Sequence, residues 1–385
     1  MNSPSCKIAD IRAVPISFPV PPAQSVRLGI GRSVKRDAVL VRVETDQGHI
    51  GWGEAHHGRC PGAIARLIDT TLRELALGLD AFDVHGVWAR VYKMQLASHG
   101  MGAAAALALS GLDIALWDLR CQATGWPLYR LLGGSAKPIK AYAGGIALGY
   151  QEPAALVEEA RLHIASGYRA LKLRVGDTAA RDIARVRAVR DAVGDGIELL
   201  VDANTNYTLD DVRRVMPAFE ECAVGWLEEP FPPQDRRAYA QAAMLGRVPL
   251  AAGENHFTRY EFAQLLEDGH VGFVQPDLSK TGGITEAMRI AAMASAVKLS
   301  VNPHTSATAI NMAASIHYLC AVDNPGYFEG DVTTLNPFRD QLADRLPYSL
   351  DEQGCVRPLD GVGLGLKLDT AFIAEHPLIE GPCYV

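Results

Sequence analysis

Along the first 55 residues, apolar and polar positions alternate. The run KIADIRAVPISF has the period of two that a half-buried strand needs, and so do the two halves of AVLVRVETDQGHIGWGEA. The turn at Asp46-Gln47-Gly48 between those halves predicts a β-hairpin. The period then lengthens. The stretch AAAALALSGLDIALWDLRCQATG is rich in alanine and leucine, stops at Gly125 and meets Pro127 just beyond, which predicts a long helix with ordinary stop chemistry. Strands followed by helices predict a small α+β domain over residues 1–135.

From about residue 136 the pattern becomes a long alternation. Short apolar runs (PIKAYAGGIA, ALKLRVG, ELLVDANTNY, VGWLEEP, PLAAGEN, GFVQPDLSK, LSVNPH, GYFEGD) are separated by segments such as ALVEEARLHIASG, ARDIARVRAVRDAVG and TEAMRIAAMASAV. These segments place apolar residues at i, i+3, i+4 and i+7, the signature of amphipathic helices. Eight such runs predict a parallel (β/α) barrel of the TIM type over 136–345. A doubly wound sheet would place a GxGxxG turn after its first strand, and none is there. The final segment, 346–385, is turn-rich with a hydrophobic end and is expected to pack back on the first domain.

Composition narrows the class. Of 385 residues, 48% are hydrophobic and 21% charged, enough for a sizeable core. A formal net charge of −7 with no basic stripe argues against nucleic acid or an anionic membrane as a partner. Seven scattered cysteines without a CxxC pair predict neither a disulfide framework nor a zinc site, and fit a reducing compartment. The N-terminus lacks a charged start followed by an apolar stretch, and the apolar run from Met101 to Leu112 is broken by Asp113. A cytoplasmic protein is expected.

The chemistry lies at the strand ends. In a barrel these converge on one mouth, so residues far apart in sequence become neighbours. Three consecutive runs end in VDAN, LEEP and AGEN, placing Asp202, Glu228 and Glu254 one βα unit apart, 26 residues each time. A single carboxylate there would commonly cap a helix. Three aimed at one point repel one another unless a hard cation sits between them, and all-oxygen ligation favours Mg²⁺. Glu229 is the weaker ligand choice, because alternate strand residues face opposite ways. Two further runs end in Asp277 and His304, a carboxylate beside an imidazole, suited to general acid/base work. Lys172 and Arg174 share one face of their strand and put positive charge beside the metal. Glu329, on the eighth run, could hydrogen-bond a metal-bound carboxylate oxygen if protonated.

With these residues in place, the chain resembles the mandelate racemase branch of the enolase superfamily over nearly its whole length. ALWDLRCQATGWPLYRLLGG is similar to the helix that closes that family's N-terminal capping domain, and KLR, DAN, EEP, GEN, QPDLSKTGG and NPH fall in the family's order and spacing. The resemblance implies a capping domain over a modified (β/α)7β barrel, one essential Mg²⁺ on Asp202, Glu228 and Glu254, and a homo-oligomer. In the muconate-lactonizing branch the third ligand is typically Asp, and a Lys stands where this chain has Asp277. Glu254 and the Asp277–His304 pair are similar to the racemase branch instead.

One departure is informative. The family usually shows Lys-x-Lys on the second strand, the second lysine being a base, whereas this chain has Lys172-Leu173-Arg174. A guanidinium is a poor proton acceptor and a good grip on a carboxylate or hydroxyl. A racemase needs a base on each face of the carbon, and a dehydratase can manage with one. The expected activity is therefore Mg²⁺-dependent dehydration of a sugar acid to a 2-keto-3-deoxy acid, with His304 as base, Asp277 as its partner, and Lys172, Arg174 and Glu329 in support. The alternatives are a racemase or epimerase of a 2-hydroxy acid using Lys172, and a sugar-acid-binding barrel without chemistry. Substrate contacts are expected from Asn204 and from two polar loops carrying Arg32, Lys35, His56, His57 and Arg59.

Overall fold

The computed structural model describes residues 6–385 apart from His99 and Ser306. Its first sheet is antiparallel, with β1 (Ile8–Pro19) on the edge, β4 (Lys35–Thr45) in the centre and β5 (Ile50–Ala55) beyond it. Between β1 and β4 lies a two-stranded ribbon of β2 (Arg27–Leu28) and β3 (Gly31–Arg32). The β4–β5 hairpin turns where its sequence predicts, with the Gly48 N–H donating to the Thr45 carbonyl at 3.0 Å.

The long helix Ala103–Thr124 lies on this sheet and ends at Gly125 in the left-handed conformation. It is buried on nearly all sides because the barrel covers its outer face. Helix and strand touch backbone to backbone: a Cβ on Gly53 would stand 2.1 Å from the Gly111 carbonyl oxygen, and one on Gly111 would stand 2.8 Å from the Ala55 nitrogen.

The second unit is a curled parallel sheet of β6 (Ile139–Gly144), β7 (Ala170–Arg174), β8 (Glu198–Asp202), β9 (Val224–Glu228), β10 (Leu250–Ala252), β11 (Phe273–Val274), β12 (Ser300–Val301) and β13 (Phe328–Asp331). Seven helices connect these eight strands, which is the (β/α)7β arrangement. β13 pairs with β6, and the segment entering β13 bonds to β12, with the Gly326 N–H donating to the Val301 carbonyl at 2.8 Å, so the sheet closes on itself. At the bottom the interior is filled by Tyr142, Ala170, Leu200, Trp226 and Ala251, with Tyr142 and Trp226 edge to face at 5.5 Å. Polar side chains occupy the layers above.

The register between β8 and β9 contains one irregularity. Leu199 pairs with Val224 but Val201 pairs with Leu227, so β9 carries an extra residue at Gly225–Trp226. Without it Asp202 would stand beside Leu227. With it Asp202 stands beside Glu228.

The capping domain is fastened to helix starts at the barrel mouth. Asp113 accepts the Thr285 N–H (2.9 Å) and Ser110 Oγ accepts the Gly282 N–H (2.8 Å), both at the start of the helix Gly283–Ala296. Glu54, at the end of β5, accepts the Asn311 N–H (3.0 Å) and the Thr308 hydroxyl, at the start of the helix Ala309–Ala321. Carboxylates are favoured there, because the first N–H groups of a helix lack partners and the helix dipole is positive.

The C-terminal segment first adds β14 (Cys355–Val356) antiparallel to β6. It then returns to the capping domain, where the Arg32 N–H donates to the Val385 carbonyl (2.7 Å) and the Val34 N–H to the Cys383 carbonyl (2.9 Å). No described helix is long and apolar enough to cross a membrane.

Candidate active site

The parallel register sets Arg174 beside Asp202 and Asp202 beside Glu228, one row across β7, β8 and β9. Glu254 follows two residues beyond β10, Asp277 three beyond β11 and His304 three beyond β12. Glu329 lies on β13. These side chains meet at the mouth of the barrel, below a cleft roofed by the capping domain.

Three of them join through one lysine. Lys172 is fully buried over the Tyr142 ring, and its Nζ lies 2.8 Å from Glu228 Oε1, 2.9 Å from Glu329 Oε1 and 3.6 Å from Asp202 Oδ2. Burial alone would push its pKa down, but Glu228, Glu329 and Asp202 hold it well above the usual lysine value. Lys172, like Asp202, Glu228 and Glu329, is not among the residues that line the cleft. Arg174 does line the cleft, and its guanidinium contacts Asp202 and the Gly145 carbonyl.

The carboxylates are closely braced. Asn204, in a left-handed conformation (φ 45°), donates its backbone N–H to Asp202 Oδ1 (2.8 Å) and its side-chain amide to Oδ2 (3.2 Å). Glu228 Oε2 accepts from Gln275 Nε2 (2.7 Å) and Trp226 Nε1 (3.1 Å). Glu254 accepts from Lys280 Nζ (3.2 Å) and faces His304 Nε2 at 3.1 Å. Burial would raise Glu254, but His304 and Lys280 hold it well below the usual carboxylate range.

Glu229 departs from the sequence expectation. Strand alternation ends with the strand itself: Glu229 turns to φ 37°, lines the cleft and accepts from Asn255 Nδ2 at 2.8 Å. Period-two reasoning fails there because it applies only inside the strand.

His304 and Asp277 form a dyad. The distance from Nδ1 to Asp277 Oδ2 is 2.7 Å, and Asp277 Oδ1 accepts from the Ser279 N–H (2.7 Å), Ser279 Oγ (2.7 Å) and Asn311 Nδ2 (3.1 Å). Burial would lower the imidazole pKa, but Glu254, Glu329 and Asp277 hold it up to about 9. Nε2 is left facing the carboxylates. Around the ring, His304 and Arg174 stand on opposite sides, with β8 to β11 between them one way and β6 and β13 the other.

Glu329 accepts from Lys172 Nζ, the Gly145 N–H (3.1 Å) and the Thr305 N–H (3.1 Å). Burial opposes ionisation, but Lys172, His304 and Arg174 outweigh it and hold Glu329 down at about 2.

The network holds five carboxylates (Asp202, Glu228, Glu229, Glu254, Glu329) against three fixed cations (Lys172, Arg174, Lys280), with Asp277 matched to His304. Carboxyl groups therefore outnumber the fixed cations in this network. Burial and the neighbouring carboxylates push Glu228 up to about 7 and Glu229 well above its ordinary value, as expected where like charges share a site. Asn204 Oδ1 and Glu229 Oε1 are buried and lack a hydrogen-bond partner among the described residues. An all-oxygen donor set with surplus carboxyl groups and spare oxygens fits a hard divalent cation.

The far wall comes from the capping domain and the C-terminus. His56 and His57 stack at 4.2 Å, and each Nδ1 accepts a backbone N–H, from Gly58 and Arg59 respectively, at 3.0 Å. That assigns Nε2–H donors to both rings. Burial pushes both far down, His57 to about 3, so they are neutral at neutral pH.

Lys35 lines the cleft, but its ammonium is occupied by Asp37 (3.0 Å) and the Ile379 carbonyl. Arg32 does not reach the cleft and instead borders a separate hollow with Tyr150 and Asp177. Asp37, His57 and Cys383 bring ligand atoms within 4.8 Å of one another. Lys35 already neutralises Asp37, and the His57 tautomer turns an N–H outward, so this set does not suit a metal. Lys280, Arg36 and Tyr384 also line the cleft and were not singled out in the sequence. Lys280 carried a signal, since it follows Asp277 by three residues on the same strand-end loop.

Comparison with known proteins agrees with this architecture. The enolase C-terminal domain-like family matches residues 155–372, and the mandelate racemase/muconate lactonizing enzyme N-terminal domain matches residues 11–133. Arabinonate dehydratase of Saccharolobus solfataricus is 32% identical over 342 residues, covering 88% of this chain and 90% of that protein. Relatives of similar identity are named D-galactonate dehydratase and D-galactarolactone cycloisomerase.

Among solved structures, an enolase superfamily member from Polaromonas sp. JS666 is 53% identical with a TM-score of 0.96, covering 98% of this chain and 100% of its own. A racemase from Streptomyces coelicolor A3(2) with bound magnesium is 30% identical with a TM-score of 0.87, covering 96% and 100%. Both halves of the chain thus match one family in order, and the chain belongs to the mandelate racemase/muconate lactonizing enzyme family of the enolase superfamily.

Proposed function

We propose that this enzyme is a Mg²⁺-dependent dehydratase of acid sugars, with His304 as its single proton-transfer residue. The observation that carries this reading is the asymmetry of the cleft. A histidine–aspartate dyad stands on one side, while the opposite side offers Arg174, and Lys172 is sequestered in three ion pairs. A 1,1-proton transfer needs a competent base on both faces, and neither a guanidinium nor a lysine enclosed by three carboxylates outside the cleft lining supplies one. Relatives named as sugar-acid dehydratases support the same class.

Asp202, Glu228 and Glu254 would hold Mg²⁺, which would supply Lewis-acid stabilisation for the negative charge that grows on the substrate carboxylate. The protein's own groups do the rest. With the Glu254 charge that favours the imidazolium taken up by the metal it would hold, His304 Nε2 takes the proton from the carbon next to the carboxylate, while Asp277 fixes Nδ1–H and balances the imidazolium. The same imidazolium protonates the β-hydroxyl as its C–O bond breaks, so water leaves and the base is regenerated. The resulting enol tautomerises to the 2-keto-3-deoxy acid. Arg174 and Lys280 place positive charge at the floor of the cleft.

Incubating mono- and diacid sugars with the enzyme is expected to give a semicarbazide-reactive keto acid with Mg²⁺ present and none with excess EDTA. No keto acid from any acid sugar would sink the proposal. Exchange of the α-hydrogen for deuterium in D₂O, with every hydroxyl retained, would favour a racemase instead.

The wall opposite the floor is rich in donors: His56 and His57 Nε2–H, Arg59 and the Tyr384 hydroxyl. Arg59 has no carboxylate partner among the described residues, only the Tyr384 ring at 5.6 Å. This fits a polyhydroxy chain ending in a second carboxylate. Arg59→Ala is expected to raise KM for a diacid by about tenfold, the value of one charge-assisted hydrogen bond, and to leave the matching monoacid nearly unchanged. Equal effects on both would remove the assignment.

A further inference from the structure

Glu54 belongs to the capping domain and touches neither the cleft floor nor the metal ligands, yet it is fully buried against the helix Ala309–Ala321. Its Oε2 accepts both the Thr308 hydroxyl and the Asn311 backbone N–H. Asn311 then extends its side chain the other way: Nδ2 donates to Asp277 Oδ1 at 3.1 Å, and Asp277 Oδ2 holds His304 Nδ1 at 2.7 Å. One unbroken path therefore runs from the last strand of the capping domain to the imidazole.

A second, parallel contact reaches the same carboxylate, the His56 N–H donating to the Ser279 carbonyl (3.0 Å) while the Ser279 N–H and hydroxyl hold Asp277 Oδ1. Asp113 also caps a barrel helix, but through the Thr285 N–H (2.9 Å), at the start of the helix Gly283–Ala296 rather than of the helix that carries Asn311.

We propose that Glu54 is a positioning residue for the base: by anchoring Asn311 it sets the orientation of Asp277 and, through it, of the His304 ring. Seating the capping domain and aligning the base are then a single event. The cleft can carry out proton transfer only when its specificity wall is in place. The inference rests on the reading of His304 as the base.

The geometry explains why a carboxyl group is used. Two donors converge on one oxygen from a helix start, where the dipole favours an acceptor. Burial pushes the Glu54 pKa up to about 8, so the group is largely uncharged at neutral pH, and a glutamine can reproduce the acceptor. A leucine of similar size cannot.

The test reads the dyad directly and needs no substrate. In the full-length protein with Mg²⁺, a His304 Nδ1 proton bonded to Asp277 gives a far-downfield proton NMR resonance, assigned by its loss in His304→Asn. Glu54→Leu is expected to broaden or abolish that resonance, Glu54→Gln to retain it, and Asp113→Leu to leave it unchanged although it removes a comparable docking acceptor. Should Glu54→Leu fail to fold, Asn311→Ala keeps the backbone N–H and cuts only the side-chain link, and it is expected to abolish the resonance as well. A sharp, unshifted resonance in Asn311→Ala or in folded Glu54→Leu overturns the proposal. Loss of the resonance in folded Asp113→Leu also overturns it, because general loosening of the domains would then suffice. A resonance that persists in His304→Asn belongs to another residue and refutes the dyad assignment itself.

Discussion

Exchanging His304 for asparagine is expected to lower kcat by about 10³- to 10⁴-fold, the upper range for a general acid/base, because one imidazole serves both the abstraction and the departure of water. Asparagine preserves a hydrogen bond to Asp277 and removes the proton acceptor at Nε2, so KM for the acid sugar is expected to change little. Single-turnover keto-acid formation measures the loss, and α-deuterium incorporation should fall in parallel because both need the same base. Activity within about tenfold of the native enzyme would mean that the proton leaves to another group. A variant that binds acid sugars as before, when the native protein also never turns them over, would identify a binding barrel.

The second large effect belongs to Lys172. Replacing it with methionine keeps much of the volume and leaves Glu228, Glu329 and Asp202 facing one another without their shared cation. Removing one partner from a buried ion network costs about 3–5 kcal/mol, and here the cost is greatest in metal-free protein. Mg²⁺ should recover part of the loss, because an ion that binds only the folded state stabilises it by mass action. Thermal midpoints in EDTA and in Mg²⁺ are therefore expected to differ more for Lys172→Met than for the native chain. A variant with the native midpoint in EDTA would show that the three carboxylates are not held by this lysine.

The barrel was legible in the sequence for a specific reason. Its strands are buried on both faces, so charged residues gather toward and just beyond the strands' C-terminal ends, and the βα spacing then numbers those ends. Asp202, Glu228, Glu254, Asp277, His304 and Glu329 all follow from that rule, and the structure gathers them at one mouth. Depth was not legible. Lys172 and Arg174 share a face, but two residues along a strand separate a buried structural cation from one that lines the cleft.

Nor was the turn that swings Glu229 inward, which depends on a backbone angle beyond the strand. The cleft wall was the least readable part. It joins residues separated by more than 300 positions, as in the bond from Lys35 to the Ile379 carbonyl, and no local pattern signals such a meeting. Arg32 and Lys35 illustrate the cost: both are basic and loop-borne, yet one faces another hollow and the other is already neutralised. Glu54 had the very signature used for the barrel, a charged residue closing an apolar strand, in a domain where that rule was not applied.

The irregular step in β9 bears on how such sites can be moved or copied. Three carboxylates at equal spacing look like a motif that could be written into any barrel. In this one, the neighbour relation of the first two depends on an additional residue upstream, at a position where a side chain would meet Glu198 and Leu200 at 2.9 Å, so glycine suits it. A graft of the acidic positions alone would deliver the second one to the outside of the host. The transferable unit is the glycine together with the acids.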